Sequence, residues 1–107
     1  MEKKQYLYKL RLMPNLVDEK NWTEKENKIV QEHFEALEVL LEENKLIMAG
    51  RTQNFDASTF GIVILQVDSE EEARSLMEKD PAVAGNVMTA ELFPYKVALY
   101  NHQFSNN

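Results

Sequence analysis

The stretch "FGIVILQV", residues 60–67, constrains the fold more than any other part of the chain. It is an almost unbroken apolar run, rich in β-branched side chains, which is the pattern of a strand buried on both faces. Alternation puts Phe60, Ile62 and Ile64 on one face and Val63, Leu65 and Val67 on the other. Such a strand needs cover on two sides of its sheet. The chain has 107 residues, 44% of them hydrophobic, which is one domain with one modest core. One side of the sheet can be covered by the chain's own helices. An uncovered second side would be a larger apolar patch than soluble monomers show, so a second copy is expected there, a homodimer through the sheet face.

The other elements fall around that strand. "YLYKLRLM" (6–13) alternates, with Tyr6, Tyr8, Leu10 and Leu12 on one face and Lys9 and Arg11 on the other. Pro14 and Asn15 end it, and "NLVDEKNW" reads as an irregular lead-in. Thr23 and Glu26 form a T-x-x-E capping box that opens a helix running to about Glu43. Its stripe contains Ile29, Val30, His33, Phe34, Leu37, Leu40 and Leu41, with His33 near the centre. "LIMAGRT" (46–52) is a short strand, followed by the polar connector "QNFDAST". Ser69 and Glu72 repeat the capping logic for a second helix, which Asp80-Pro81 stops; Asp80 can then cap a further turn. "VMTAELFPY" (87–95) is the last strand, with "VALY" as a candidate extension. The order β-α-β-β-α-β predicts an α+β chain with the ferredoxin-like βαββαβ topology and an antiparallel sheet. Residues 1–100 read as one domain and 101–107 as a polar, frayed tail.

Charge and composition exclude several classes of partner. A net charge of −6 opposes non-specific nucleic-acid binding, so no nucleic-acid partner is expected. No apolar run is long enough to span a membrane, and "MEKKQYLYKL" lacks the apolar segment of a signal peptide. With no cysteine there are no disulfides or thiolate metal sites, and a cytoplasmic location is expected. Two distant histidines, His33 and His102, make a dedicated metal site unlikely to be built, and His102 reads as solvated. No phosphate-binding or dinucleotide fingerprint and no nucleophile elbow is present, so no cofactor is expected.

What remains for chemistry is a small set of side chains. His33 fits two descriptions: a core histidine satisfied by hydrogen bonds, or a general acid/base whose ordinary pKa of about 6.5 suits proton transfer near neutrality. Asp80 is either an ordinary turn cap or, because both helices lie on one sheet face, the carboxylate that orients His33. Arg51, after Gly50, is a surface cation at a strand end or a fork for an anionic group of a ligand. Gly50 itself is a candidate for a bulge or a close backbone approach. Tyr8 and Phe60, with Tyr6 and Trp22, are candidates for an aromatic wall or for plain core.

"EHFEALEVLLEENKLIMAG" (32–50), the apolar strand, and "SEEEARSLMEKDPAVAGNVMTAELFPYKV" (69–97) together resemble the YciI-like protein family over about residues 6–98. The resemblance implies a ferredoxin-like dimeric α+β barrel, similar in fold to muconolactone isomerase. It also implies a catalytic pair formed by the histidine of the first helix and the aspartate of Asp-Pro, here His33 and Asp80. Two positions depart from the pattern. Val30 stands where many relatives carry arginine, and Gly50-Arg51 where many have Gly-Pro. The resemblance thus implies the His–Asp acid/base pair; joined to the residue reading above, the expectation is a pocket for a small anionic or ring-derived metabolite, working by isomerisation or elimination, with Arg51, Tyr8 and Phe60 as ligand contacts. The alternatives are a non-catalytic ligand-binding or accessory dimer, and a structural dimer in which His33 is only a core hydrogen-bonding group.

Overall fold

The computed structural model describes residues 3–104. Residues 105–107 of the expected polar tail and the first two of the opening segment lie outside this range. Strands β1 (Lys4–Leu12), β2 (Leu46–Arg51), β3 (Gly61–Val67) and β4 (Met88–Tyr95) form one sheet in the order β2-β3-β1-β4. All adjacent pairs are antiparallel. Helices α1 (Glu24–Glu42), α2 (Glu70–Lys79) and α3 (Pro81–Ala84) complete the expected α+β, ferredoxin-like order. No helix among the described residues is long and apolar enough to cross a membrane.

Register explains the core. Tyr8 stands between Val63 and Leu92, and Tyr6 opposite Leu65, so these side chains share one face. That face, with Leu10 and Val67, packs against Ala73 and Met77 of α2. The opposite face presents Leu7, Ile62, Ile64, Met48 and Phe93, so β3 is apolar on both sides. Ile64 is buried, whereas Met48 and Phe93 are exposed. The extension through "VALY" does not form: β4 stops at Tyr95, opposite Gln5, where β1 runs out of partner residues. Val97 instead donates its amide to the Gln5 side chain at 2.7 Å. The irregular lead-in is tighter than expected. It contains two 3₁₀ turns, Pro14–Leu16 and Glu19–Asn21, tied by a bond from Trp22 Nε1 to the Leu16 carbonyl.

The capping box of α1 is present, with the Thr23 amide bonded to the Glu26 carboxylate at 2.7 Å. The Thr23 hydroxyl, which donates to the same carboxylate at 2.6 Å, and after it the amide hold the Glu26 carboxyl below its ordinary value. The helix does not bury its stripe as fully as its periodicity predicts. No residue of α1 is fully buried, and Phe34 and Leu41 are more than half exposed. The reason lies opposite it. Ala49 and Gly61, on the helix-facing side of β2 and β3, offer little bulk to fill the space between α1 and the β2–β3 edge, so a cleft stays open there. Gly50 is not the site of a close approach, since a Cβ there would touch nothing; the register shift of β2 lies between Leu46 and Met48.

The close approach occurs at Gly85, which ends α3. A Cβ at that position would sit 2.8 Å from the Pro81 carbonyl and 3.0 Å from Ile29 Cδ1 of α1. Gly85 thereby lets α1 settle against α3, and His33, one turn beyond Ile29, comes alongside the start of α3. Gly85→Ala should cost about 1–3 kcal/mol through overpacking at this contact. Urea unfolding measures it, and an unchanged midpoint would show that Ile29 and the α3 turn give way freely.

Candidate functional site: a buried carboxylate between three elements

Pro81 creates the site. The residue before a proline is pushed out of helical geometry, and Asp80 accordingly has φ −56° and ψ 125°. Helix α2 must end at Lys79, and Asp80 becomes the N-cap of α3, with Pro81 at its first position. Its Oδ1 accepts the Ala82 amide at 3.0 Å. The same turn aims the carboxylate inward, where Asp80 is the one buried charged residue among those described.

Two side chains from other elements meet it. His33 Nδ1 on α1 lies 2.6 Å from Oδ1, and the Tyr8 hydroxyl on β1 donates to Oδ2 at 2.7 Å. Ala82, His33 and Tyr8 thus satisfy both oxygens, as a buried carboxylate requires. The tautomer of His33 follows from this set. An ionised carboxylate only accepts, so Nδ1 carries the proton toward Asp80 and neutral His33 has its lone pair on Nε2. No buried side-chain nitrogen or oxygen among the described residues lacks a partner, which leaves Nε2 accessible rather than sealed. Burial pushes the Tyr8 phenol well above its ordinary value, and the negative charge and hydrogen bond of Asp80 push the same way. Tyr8 therefore remains a donor throughout the neutral range.

His33 lines a cleft of about 1030 Å³ between α1, the 3₁₀ turns and the β2–β3 edge. Most of the wall is apolar, including Leu10, Leu16, Trp22 and Phe34. Charge enters through Arg51 at the end of β2 and through Asp18, Glu19 and Lys20 of the lead-in. Among the described residues Arg51 makes no ion pair, so its guanidinium is available to the cleft. Phe60 lies at the edge where the two sheet faces meet: it lines the cleft, and the Lys9 ammonium stands 4.7 Å from its ring centroid. No group of three or more His, Asp or Glu side chains able to hold a metal ion occurs among the described residues.

The candidates named from sequence thus divide. His33, Arg51 and Phe60 share the cleft, and Asp80 stands behind His33. Tyr8 and Tyr6 do not line it; Tyr8 is wholly buried and its hydroxyl is engaged by Asp80. A signal for that role existed, because a tyrosine on the helix-facing side of a central strand must find a partner for its hydroxyl. Phe55 is a further cleft residue that sequence reasoning passed over. It is 77% exposed on the β2–β3 connection, which Thr52 and Thr59 brace through their hydroxyls at 3.1 Å. Nothing in the polar stretch "QNFDAST" distinguishes Phe55 from any other loop aromatic.

Comparison with known proteins gives a family and a fold. A family model described as a YCII-related domain matches residues 9–96. No curated protein matches the chain by sequence. Among solved structures, the chain is similar to 5-chloro-2-hydroxyhydroquinone dehydrochlorinase from Burkholderia phenoliruptrix, solved with 2,5-dihydroxybenzoquinone. The TM-score is 0.65 at 18% identity, covering 86% of this chain and 93% of that one. An uncharacterized protein from Thermotoga maritima matches with a TM-score of 0.54 at 11% identity, covering 89% of this chain and all of the other. At these identities the likeness is one of fold.

Removing either partner of the pair tests its structural weight. Asp80→Ala strands the Tyr8 hydroxyl, His33 and a helix cap together, and should cost about 3–5 kcal/mol. His33→Ala removes one donor from a cleft wall and should cost only about 1 kcal/mol. Denaturant unfolding of the two variants checks the order, and equal losses would show that His33 is as structural as Asp80.

Proposed function

The chain belongs to the YCII-related domain family, and from that premise we propose that it is a small proton-transfer enzyme acting on an anionic or ring-derived metabolite. The observation that carries this reading is the 2.6 Å contact between His33 Nδ1 and Asp80 at the wall of the cleft, with Nε2 left for a ligand. Asp80 holds the imidazole in one tautomer and stabilises the imidazolium that forms when Nε2 accepts a proton. Arg51 binds an anionic group such as a carboxylate or phenolate, and Phe60 with the apolar wall receives the ring.

The chemistry is isomerisation or elimination at an activated C–H. His33 Nε2 takes the proton, and the C–H bonding pair becomes a new C=C bond. In an elimination, the leaving group departs from the adjacent carbon with its own bonding pair, as an anion. In an isomerisation, an existing double bond of the substrate gives up its π pair to form the new C–H bond as Nε2 returns the proton to a different carbon. The likeness to a protein named for dehydrochlorination and solved with a benzoquinone supports a ring-derived substrate class. Two features of this chain argue for a substrate of its own: Val30 on the cleft wall, and Arg51 at the strand end.

The working unit in this reading is a homodimer. Leu7, Ile62, Met48 and Phe93 share the sheet face that no helix of this chain covers, and a second copy with the same face would bury what they leave exposed. Light scattering at micromolar concentration should give twice the 12.5 kDa of one chain, and a monomeric mass would overturn the dimer.

Incubation with a panel of halogenated and hydroxylated ring compounds, followed by mass spectrometry, tests the activity. His33→Ala should lower turnover about 100-fold or more while the fold persists. Arg51→Ala should raise KM about tenfold with kcat retained. A compound that binds and returns unchanged would make the protein a ligand carrier or accessory protein using the same cleft.

A further inference from the structure

We propose that Tyr8 is a positioning residue for His33: its hydroxyl, held by the middle of the sheet, sets how strongly Asp80 draws on the imidazole. The inference rests on the reading of His33 as the proton-transfer group and adds a residue that stands outside the cleft.

The argument begins with where Tyr8 is anchored. β1 is flanked by β3 and β4, and Tyr8 pairs with Val63 on one side and Leu92 on the other. Its side chain is fully buried, so the hydroxyl has one fixed position. From there it donates to Oδ2, while Oδ1 takes the Ala82 amide at 3.0 Å and faces His33 Nδ1 at 2.6 Å. A donor on each oxygen fixes the plane of the carboxylate, and that plane is what keeps Oδ1 in line with Nδ1. Of the two donors other than His33, the Ala82 amide belongs to the cap of α3 and is common to any Asp-Pro turn of this shape. Tyr8 is the one supplied by a side chain.

The same bond has an electrostatic consequence. A buried carboxylate favours the protonated imidazole beside it in proportion to the charge it keeps. A donor on Oδ2 draws some of that charge away, so a Tyr8 hydroxyl makes Asp80 a weaker partner for imidazolium than a bare carboxylate would be. Other charged groups face the same region. Asp18, Glu19, Lys20 and Arg51 line the cleft that His33 borders, and Lys79 lines the smaller groove where Tyr8 and Asp80 meet α1 and α2. All of them are retained when only the hydroxyl of Tyr8 is removed, so their contributions cancel in the comparison.

The test reads His33 itself, in the full chain and without a substrate. The imidazole is titrated by nuclear magnetic resonance in the parent and in Tyr8→Phe, with the exposed His102 as internal reference. His33 should titrate about one pH unit higher in the folded variant, with His102 unmoved. A folded Tyr8→Phe whose His33 titrates as in the parent would overturn the proposal and leave Tyr8 as core packing. Should the variant not fold, 3-fluorotyrosine at position 8 keeps the ring and makes a stronger donor. His33 should then titrate lower, and an unmoved titration would overturn the proposal equally. Failure to find turnover would count against the proposed reaction without touching this readout. A flat titration would remove Tyr8 and leave the His33 reaction standing.

Discussion

The structure depends on one carboxylate. Asp80 is buried, and burying a charge is tolerable only when every lone pair that faces protein finds a donor. Here the donors come from three separate parts of the chain: Tyr8 in the central strand β1, His33 in α1, and Ala82 in the turn that Asp80 itself begins. None of these elements is adjacent to another in sequence except Asp80 and Ala82. The carboxylate therefore ties the sheet to the first helix and to the junction of the other two. It also fixes the tautomer of His33, which lines the cleft.

That tie matters more because α1 is otherwise loosely held. A helix with a full apolar stripe normally buries it, yet this one leaves its stripe half-covered and fully buries no residue. Its anchors are local: the contact of Ile29 with Gly85, the packing of Leu37 and Leu40 on the core, and the His33–Asp80 bond. The space withheld from the core is the cleft. Filling Ala49 or Gly61 with larger side chains would let α1 bury more apolar surface and would close the pocket. Stability and access are in direct competition along this one helix.

Much of this was legible in the sequence, and the reasons are physical. The topology was readable because each element carries a local signal of its own: alternation in β1, the apolar run of β3, capping residues at Thr23 and Ser69, and Pro81 as a stop. The relation of His33 to Asp80 was only an expectation, because it depends on how far α1 stands from the α2–α3 junction, and that distance is set by Gly85 in a part of the chain that looks like a plain turn. The place of Tyr8 was legible only in part, for a related reason. Its alternation gave the correct face of the strand, but a face does not say whether a side chain ends in a cleft or under another residue. Phe55 was passed over because loop aromatics acquire meaning only from the wall they stand beside.

A further consequence concerns how the site can vary without losing its chemistry. The residues that hold His33 from its inner side are bound to the fold: Asp80 caps α3, and Tyr8 is core. Arg51, Lys20 and Phe55 line the cleft on the outer side, on a strand end, a 3₁₀ lead-in and the β2–β3 connection. Substitution at Arg51 or Phe55 can therefore reshape the cleft while His33 stays where it is. The inner side answers to folding, and the outer side is free to answer to a ligand.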